Sequence, residues 1–496
     1  MAESDEQAAT QRRLKDIVLS TLIVGGGSVV TVLSGVIRGK VISTIVGPPG
    51  IGLQGLLQST QRTTSAIASM GLQTSGVREV ARLRGENDAT ELAHTLRALQ
   101  FATITLGGIA ALVLVLFHRP LAAGLLDDPT LGWMIAVVGI GVLAQVLYCV
   151  YDAFLRGFRR VALLTRSAVI ANILATALGV LMVVLLGEGG IVWALVLQPV
   201  FVLLIAAIAG RDLPKHLVAV DRDRTRKAFT RVIHIGAVLA TTSFISTGVQ
   251  LAARVLIAHS TTINDVGYFQ AAWAVSVLYL GFVLGAMSQD YYPRLAETRA
   301  DPTALSRMVN EQAKVSFLLA GPAILGLLTL SSQVVALLYT SEFTATVQLL
   351  RWQLLGDVLK IGSWTLGYLV LAHAPPRVYF MTELSWNVAY LGVLAALLPV
   401  LGVQAAAAAY VAASAIYFVV LCVVTNRLVG FAWSRSNVAL MAVIAVLSAV
   451  AMSAHLFLPR WPALAIAGAV TTVFGLYCAR RLIHEAGFAR LIRRKK

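Results

Sequence analysis

The chain has 496 residues, of which 58% are hydrophobic and only 13% are charged, and its mean hydropathy is +0.79. Adding the 40 glycines raises the apolar share well above the 45–50% that is usual (about half) in soluble domains. This composition excludes a disordered chain, a nucleic-acid scaffold and an ordinary soluble enzyme. It predicts an all-α polytopic membrane protein.

Apolar segments can be counted along the chain. Stretches of about 20 apolar residues, separated by charged residues or Pro/Gly breaks, predict fourteen transmembrane helices. They are continuous, which argues against the alternating segments of an outer-membrane barrel. In chain order the predicted spans are 17–46, 50–74, 95–117, 131–155, 161–186, 190–209, 231–258, 265–291, 311–332, 345–372, 376–400, 402–426, 437–457 and 461–480.

The basic residues indicate how these helices are oriented. The net charge is +16, and most of the 40 Lys and Arg residues fall in alternate loops and at the two ends of the chain. Only Arg119 and Arg460 fall in the intervening loops. Because Lys and Arg are enriched in cytoplasmic loops, this asymmetry predicts an even number of helices with both termini in the cytoplasm. It also explains the net charge without nucleic acid as a partner.

Two halves of the chain resemble each other. The segment KVISTIVGPPGIG, from Lys40, aligns with RVLIAHSTTINDVG, from Arg254, and three further weak matches share a spacing of about 215 residues. A six-helix repeat predicts two parallel, pseudo-symmetric bundles, an arrangement that supports alternating access. The predicted domains are a cytoplasmic N-terminus 1–16, a bundle 17–210, a basic cytoplasmic linker 211–230, a bundle 231–427, two additional helices within 437–480 and a basic cytoplasmic tail 481–496.

Six basic residues lie within predicted helices or near their ends. A cation at mid-membrane costs roughly 2.5–3.5 kcal/mol, so it usually faces a partner or a hydrated cavity. Lys40 and Arg254 occupy equivalent repeat positions, as expected for opposite walls of one cavity. Because Arg and Lys suit phosphate oxygens, these cations predict a site for phosphate or pyrophosphate. The candidates are Arg38, Lys40, Arg62, Arg254, Arg351 and Lys360.

Polar residues accompany these cations at helical spacing. They form stripes on the second, seventh and tenth predicted helices. The stripes predict the lining of a hydrated path, and the alternative is hydrogen bonding between helices, which Ser, Thr and Gln also provide in membranes. The predicted lining residues are Gln54, Gln58, Gln61, Ser246, Thr247, Gln250 and Gln353.

Two acidic residues, Asp357 and Glu383, lie deep enough in predicted helices to bind a coupling proton or sodium ion. Asp357 precedes Lys360 by three residues, so a structural ion pair is an equally good interpretation of that carboxylate. These two residues are therefore the candidates for ion coupling.

Two segments resemble a known family of transporters. WQLLGDVLKIGSWTLGYLVLAHA (352–374) and GKVISTIVGPPGIGL (39–53) are similar to segments of the lipid III flippases and other Wzx-type O-antigen translocases. That family belongs to the multidrug/oligosaccharidyl-lipid/polysaccharide (MOP) exporter superfamily. The resemblance runs from about residue 17 to residue 427 and leaves out the last two predicted helices.

The resemblance implies a MATE-like fold and a flippase of the bacterial inner membrane. The implied substrate is an undecaprenyl-pyrophosphate-linked oligosaccharide, moved from the cytoplasmic to the periplasmic leaflet for O-antigen, common-antigen or exopolysaccharide assembly. Membrane lipids, a polysaccharide polymerase and a chain-length regulator are the implied partners. The cations would then contact the diphosphate, and the polar stripes would contact the sugars.

Two other functions are compatible with the sequence. A MATE-type multidrug or cation antiporter shares the fold, but a site for organic cations favours acidic and aromatic residues over basic ones. A membrane glycan polymerase or ligase needs an ordered outer loop, and the longest predicted outer connection is only HRPLAAGLLDDPTL. The sequence lacks a nucleophile–base set, a Gly-rich phosphate loop and metal-ligand spacing, so no catalytic residue, metal or cofactor is predicted.

Overall fold

The protein is helical in nearly all of the residues that the computed structural model describes. These residues are 26–211, 221–298 and 301–485, and no β-strand occurs among them. The predicted cytoplasmic N-terminus 1–16 and the greater part of the predicted tail 481–496 lie outside the described residues. The prediction of an all-α fold is confirmed.

The chain divides into two compact units, unit 1 with residues 1–259 and unit 2 with residues 260–496. The helices of unit 1 are α1 (Gly26–Ile45), α2 (Gly47–Ser69), α3 (Leu72–Gly85), α4 (Ala89–Leu116), α5 (His118–Leu126), α6 (Gly132–Gly157), α7 (Val161–Leu186), α8 (Gly190–Ala209) and α9 (Arg222–Ser260). Those of unit 2 are α10 (Ile263–Glu297), α11 (Pro302–Thr329), α12 (Ser331–Leu338), α13 (Thr344–His373), α14 (Pro376–Leu401), α15 (Gln404–Val429), α16 (Arg435–Phe457) and α17 (Arg460–Glu485).

Many of these helices can cross a membrane. Within the described residues, 10 helical stretches are long and apolar enough to do so, and one of them, Val161–Ala209, contains both α7 and α8. The helices α2, α9 and α10 coincide with predicted spans but are not among the 10. The protein is therefore a multi-pass membrane protein, and the total of fourteen spans stays a prediction.

The order of helices repeats along the chain. The starts of α2 and α10, Gly47 and Ile263, are separated by 216 residues, and those of α7 and α14, Val161 and Pro376, by 215. The short helices α5 and α12 occupy matching places between longer ones. The helix pattern thus follows the repeat found in the sequence.

The helix α9 begins earlier than predicted. Residues 222–230 of the predicted linker form its first turns, while 212–220 lie outside the described residues. The Asp221 carboxylate accepts hydrogen bonds from the backbone N–H groups of Asp223 and Arg224, at 3.0 and 3.2 Å. Such a cap satisfies N–H groups that have no partner inside the helix, which explains the early start. By sequence α9 opens the second repeat, but it belongs to unit 1.

A sharp turn separates α2 from α3. Met70 and Gly71 both have positive φ angles, 40° and 69°. A Cβ atom on Gly71 would lie 2.2 Å from the carbonyl oxygen of Gly236 on α9. Only glycine fits at this position, because it tolerates the left-handed conformation and lets the two backbones approach.

Further along α3, the buried carboxylate of Glu79 links this helix to α9. Glu79 is 5% exposed and accepts hydrogen bonds from Arg82 at 2.7 Å and from Arg231 of α9 at 2.9 Å. The hydrogen bond from Arg82 lowers the pKa of Glu79 below its ordinary value, against the opposing effect of burial. Arg231 also lies 3.7 Å from Glu91 of α4. Charge-assisted hydrogen bonds therefore join α9 to α3, and the ion pair with Glu91 extends the network to α4.

In unit 2, small residues let helices pack closely. A Cβ on Gly356 of α13 would lie 2.8 Å from the ring of Tyr410 on α15. A Cβ on Gly321 of α11 would meet Ile444 of α16 and Phe474 of α17, each at 2.9 Å. Small residues at such contacts are typical of packed membrane helices. The two C-terminal helices, α16 and α17, therefore pack closely against α11.

The substitution Glu79→Gln should destabilise unit 1 because it leaves Arg82 and Arg231 without their shared carboxylate. We expect a loss of about 1–3 kcal/mol, measured as a lower melting temperature of the purified protein. A carboxylate with a lowered pKa stabilises the fold above the unfolded pKa and loses that effect as the pH falls through the folded value. The difference between wild type and variant should therefore shrink in acid. Glu311→Gln, which alters an exposed pair with Arg307 at 4.0 Å, is the matched control. Equal melting temperatures for all three proteins at neutral pH would contradict this account.

Candidate functional site

A polar stripe on α2 is accessible although the helix around it is buried. Between Gly50 and Gln61 only two residues are accessible, Gln54 and Gln58. Arg62 continues the same face one turn later and is exposed. Because an arginine that faces lipid is costly, this face is expected to meet water or a polar ligand. Gln61 is buried beside it, and its Oε1 has no hydrogen-bond partner among the described residues.

A second arginine lies close to this stripe. Arg38 of α1 is half-buried, and its Nη1 donates to the carbonyl oxygen of Ala194 on α8 at 3.3 Å. The positive charge of Arg62 lies close enough to repel the guanidinium group of Arg38. In the part of the chain that the structure describes, neither arginine forms a salt bridge. The structure thus brings together Arg38, Arg62 and the two accessible glutamines.

The other two cations of unit 1 are placed differently. Lys40 is half-buried on α1, one half-turn beyond Arg38. Arg254 of α9 is only 3% exposed, and its Nη1 donates to the carbonyl oxygen of Gln250 at 2.8 Å. Arg254 therefore does not present its charge at an accessible surface in this structure, and its contact with an anion stays a prediction.

The stripe on α9 is partly accessible and partly engaged in helix packing. Ser246, Thr247 and Gln250 are half-buried. Thr63 of α2 donates its hydroxyl to the carbonyl oxygen of Thr247 at 3.0 Å. At this point a polar residue joins two helices, which is the alternative considered for these stripes.

In unit 2, Lys360 of α13 is enclosed by aromatic rings. Its Nζ lies 4.7 Å from the ring centre of Tyr410 and 5.1 Å from that of Trp386. The rings of Trp273 and Trp364 lie at 5.6 and 5.5 Å. Such distances are those of cation–π contacts, which stabilise a cation away from bulk water. The same Nζ donates to the Tyr410 hydroxyl at 3.0 Å.

The Asp357 carboxylate lies fully buried one turn before Lys360. It accepts hydrogen bonds from Ser276, at 2.9 Å, and from the hydroxyls of Tyr279 and Tyr410. Tyr410 thereby connects Lys360 to Asp357. Three hydroxyl donors account for the burial of this carboxylate. Asp357 and Lys360 are linked through the Tyr410 hydroxyl rather than by a direct salt bridge among the described residues.

The other polar candidates of unit 2, Glu383 and Gln353, differ in how accessible they are to solvent. Glu383 of α14 is half-buried and accepts a hydrogen bond from Tyr417 at 2.6 Å. Gln353 is fully buried, and neither of its amide atoms has a partner among the described residues. Gln353 therefore does not lie at an accessible surface, whereas Glu383 does.

Arg351 lies elsewhere in unit 2, at the start of α13. Its Nε donates to Ser331 at 2.9 Å, and its side chain lines a cavity together with residues of α12, α16 and α17. The residues that line this cavity do not include Lys360. The grouping of these two residues in one site stays a prediction.

Sequence reasoning missed most of the groups around Lys360. Trp273 and Tyr279 come from α10, Trp386 from α14 and Tyr410 from α15. Spacing along one helix reveals only Asp357, three residues before Lys360, and Trp364, four residues after it. The available signal was the presence of a lone lysine among Trp- and Tyr-rich helices.

A family profile described as "Polysaccharide biosynthesis protein" matches residues 45–348, which is more than half of the chain. The chain belongs to this polysaccharide biosynthesis protein family. Two curated relatives, the lipid III flippases of Escherichia coli (strain K12) and Shigella flexneri, are each 25% identical to it over 410 residues. The match covers 81% of this chain and 96% of each flippase.

Solved structures of exporters share the fold of this family member. The lipid II flippase MurJ, in an inward closed conformation, gives a TM-score of 0.70 at 14% identity over 95% of this chain and 99% of MurJ. An inward-facing multidrug resistance MATE transporter of the MOP superfamily gives 0.66 at 16% identity over 83% of this chain and 96% of the transporter. The MATE-like fold is confirmed, and the relatives are transporters rather than enzymes.

The Asp357–Lys360 pair should behave as one unit in stability measurements. Asp357→Asn removes the carboxylate to which the Lys360 ammonium group is linked through Tyr410, and we expect a loss of about 1–3 kcal/mol. In Lys360→Met the carboxylate keeps its three hydroxyl donors, so the loss should be smaller. The double variant should lose less than the sum of the single ones, since neither charge is left behind. Melting temperatures of the four purified proteins measure this coupling, and strictly additive losses would show that the two side chains act independently.

Proposed function

We propose that the protein is a flippase for polyprenyl-pyrophosphate-linked oligosaccharides in the bacterial cytoplasmic membrane. The observation that carries the proposal is the accessible stripe on α2, which ends in Arg62 beside Arg38. The fold is that of MOP exporters, and the curated relatives that match over 410 residues are lipid III flippases. The family description adds polysaccharide biosynthesis as the setting.

The chemistry of this stripe suits such a substrate. Two neighbouring guanidinium groups without a carboxylate partner repel each other, and a diphosphate between them would remove that repulsion. Arg also offers paired N–H donors that match phosphate oxygens. Gln54 and Gln58 carry both donors and acceptors, as hydroxyl-rich sugars require. Lys40, two residues after Arg38, projects from roughly the opposite side of α1, so its contact with the diphosphate stays a prediction.

The repeated fold suggests how transport proceeds. Parallel six-helix repeats commonly transport by alternating access, in which the repeats rock around a fixed site. In this proposal the glycan and diphosphate occupy the hydrated path while the prenyl chain stays in lipid. The excess of basic residues in alternate loops supports a cytoplasmic location for both termini. A polysaccharide polymerase and a chain-length regulator would act on the product.

Glu383 is the better candidate for binding a coupling proton or sodium ion. It is half-buried with one hydroxyl donor, whereas Asp357 is fully buried and accepts three hydrogen bonds. A coupling group must exchange its ion with water during transport, which favours the accessible carboxylate.

A multidrug antiporter, the second candidate, is disfavoured by the surroundings of Lys360. Aromatic rings and two carboxylates could hold an organic cation. In this chain the ammonium group of Lys360 already occupies the centre of those rings. A cationic drug would have to displace a side chain of the same charge.

Arg62→Gln should abolish most glycan transport. It keeps a polar side chain but removes the charge that would hold the diphosphate, and the loss of a charge-assisted pair corresponds to roughly tenfold or more in affinity. Glycan display is measured in a strain that depends on the variant, with protein level determined by immunoblot. Arg307→Gln, on an exposed helix surface, is the matched control and should display normally. Normal display by Arg62→Gln at the same protein level would refute the proposed site.

Glu383→Gln should remove the dependence of transport on an ion gradient. Flipping by the purified protein in liposomes is compared with and without a proton or sodium gradient. One of the two gradients should accelerate flipping by the wild-type protein, and neither should accelerate flipping by the variant. A variant that responds like wild type would exclude Glu383 as the coupling group.

A further inference from the structure

Unit 2 contains a polar cavity that the proposed transport site does not use. It has a volume of about 630 Å³ and is formed by α12, the start of α13, the end of α16 and the start of α17. Two arginines, Arg351 and Arg460, and His455 line it, and none of its lining residues is acidic. Glu342 is adjacent in sequence but is not part of the wall. The cavity wall is therefore strongly cationic.

Several polar atoms in this wall are buried and have no partner among the described residues. They are Oε1 of Gln333, Oγ1 of Thr340 and Nε2 of His455. Buried polar groups in proteins nearly always have partners, so a cluster of exceptions around one cavity indicates a missing polar ligand. A hydrogen bond to the backbone of Thr329 orients the His455 ring. Its free nitrogen is thus left for the cavity.

Backbone groups add to the positive potential. Helix α13, of 30 residues, begins at Thr344, and its first residues line the cavity. Phe343, which precedes it, provides no side-chain cap. The N-terminus of a helix carries a partial positive charge and uncapped N–H groups, a combination that favours phosphate and other anions. Arg351 follows two turns later on the same helix, held at the wall by Ser331 and Ser332 at 2.9 and 3.5 Å.

The surroundings of the cavity point to a lipid rather than to a soluble anion. The cavity lies where three membrane-spanning helices begin or end, α13, α16 and α17. Phe457 at the end of α16 and Trp461 at the start of α17 are 82% and 77% exposed, and Leu337 of α12 is 76% exposed. Large apolar and aromatic residues at helix ends are typical of the membrane interface, where lipid headgroups lie. Arg460, which precedes Trp461, lies 5.8 Å from the centre of its ring.

We propose that this cavity binds the phosphate of a lipid headgroup at the membrane surface, with Arg351 and Arg460 as its ligands. The two C-terminal helices thereby gain a role, since α16 contributes His455 to the wall and α17 supplies Arg460. A bilayer phospholipid and the pyrophosphate of a prenyl carrier offer the same chemistry. The phosphate site does not depend on the flippase proposal, whereas its use by a carrier lipid rests on it.

Direct binding to the purified full-length protein tests the site. The probes are short-chain phosphatidylglycerol, farnesyl pyrophosphate and inorganic pyrophosphate, titrated by calorimetry. Arg351→Gln/Arg460→Gln should weaken the binding of the lipid probes by about tenfold or more, because two charge-assisted hydrogen bonds are lost. Arg119→Gln, an exposed arginine at the start of α5, is the matched control and should bind as wild type does.

A second pair of variants separates charge from folding. Ser332→Glu places a carboxylate beside Arg351 and should expel the phosphate, whereas Ser332→Gln has nearly the same shape and should bind normally. Selective loss of phosphatidylglycerol binding would assign the site to a bilayer lipid, and selective loss of farnesyl pyrophosphate binding to a carrier. Lipid binding that is equal in all variants would overturn the proposal. Binding of inorganic pyrophosphate without either lipid would overturn the assignment to a headgroup. All titrations are made in the Arg62→Gln background, because the proposed transport site would also bind farnesyl pyrophosphate and inorganic pyrophosphate. The outcomes then report on the unit 2 cavity alone.

Discussion

The high cost of a charge in a membrane governs the arrangement of the polar residues in this protein. A charged group inside a span needs either a partner or water, and the described residues show both solutions. Asp357 is buried among hydroxyl groups, and the half-buried Lys360 is surrounded by aromatic rings. Arg62 has no carboxylate partner and lies instead on an accessible face. That contrast distinguishes side chains that stabilise the fold from side chains available to a substrate.

The same distinction assigns different tasks to the two units. In unit 1, Arg38 and Arg62 form a cationic surface next to glutamine side chains, as a diphosphate with attached sugars would require. In unit 2, Lys360 is linked to Asp357 through the Tyr410 hydroxyl, and Arg351 belongs to a separate cavity. The six cations therefore occupy different surroundings. Arg38 and Arg62 form an accessible pair, Arg254 is buried, Lys360 is surrounded by aromatic rings and Arg351 lines the separate cavity. Lys40 is half-buried on the side of α1 opposite Arg38.

Much of the fold could be predicted from the sequence because hydrophobicity and charge along one helix are local properties. The positions of the helices, the repeat and the accessible stripe on α2 all follow from such patterns. What could not be predicted depends on distant residues. The burial of Arg254 depends on how α9 packs, and the cage of Lys360 is built by three other helices. The cavity around Arg351 requires α16 and α17, which lie about 100 residues further along the chain.

The central claim is that this protein moves a lipid-linked oligosaccharide between leaflets. Its most direct test is deletion of the gene, followed by mass spectrometry of the prenyl-linked glycans and by labelling that reports the leaflet in which they lie. The account predicts accumulation of one complete repeat unit in the inner leaflet, which would also identify the sugar. Normal lipid-linked pools with altered drug tolerance would contradict it.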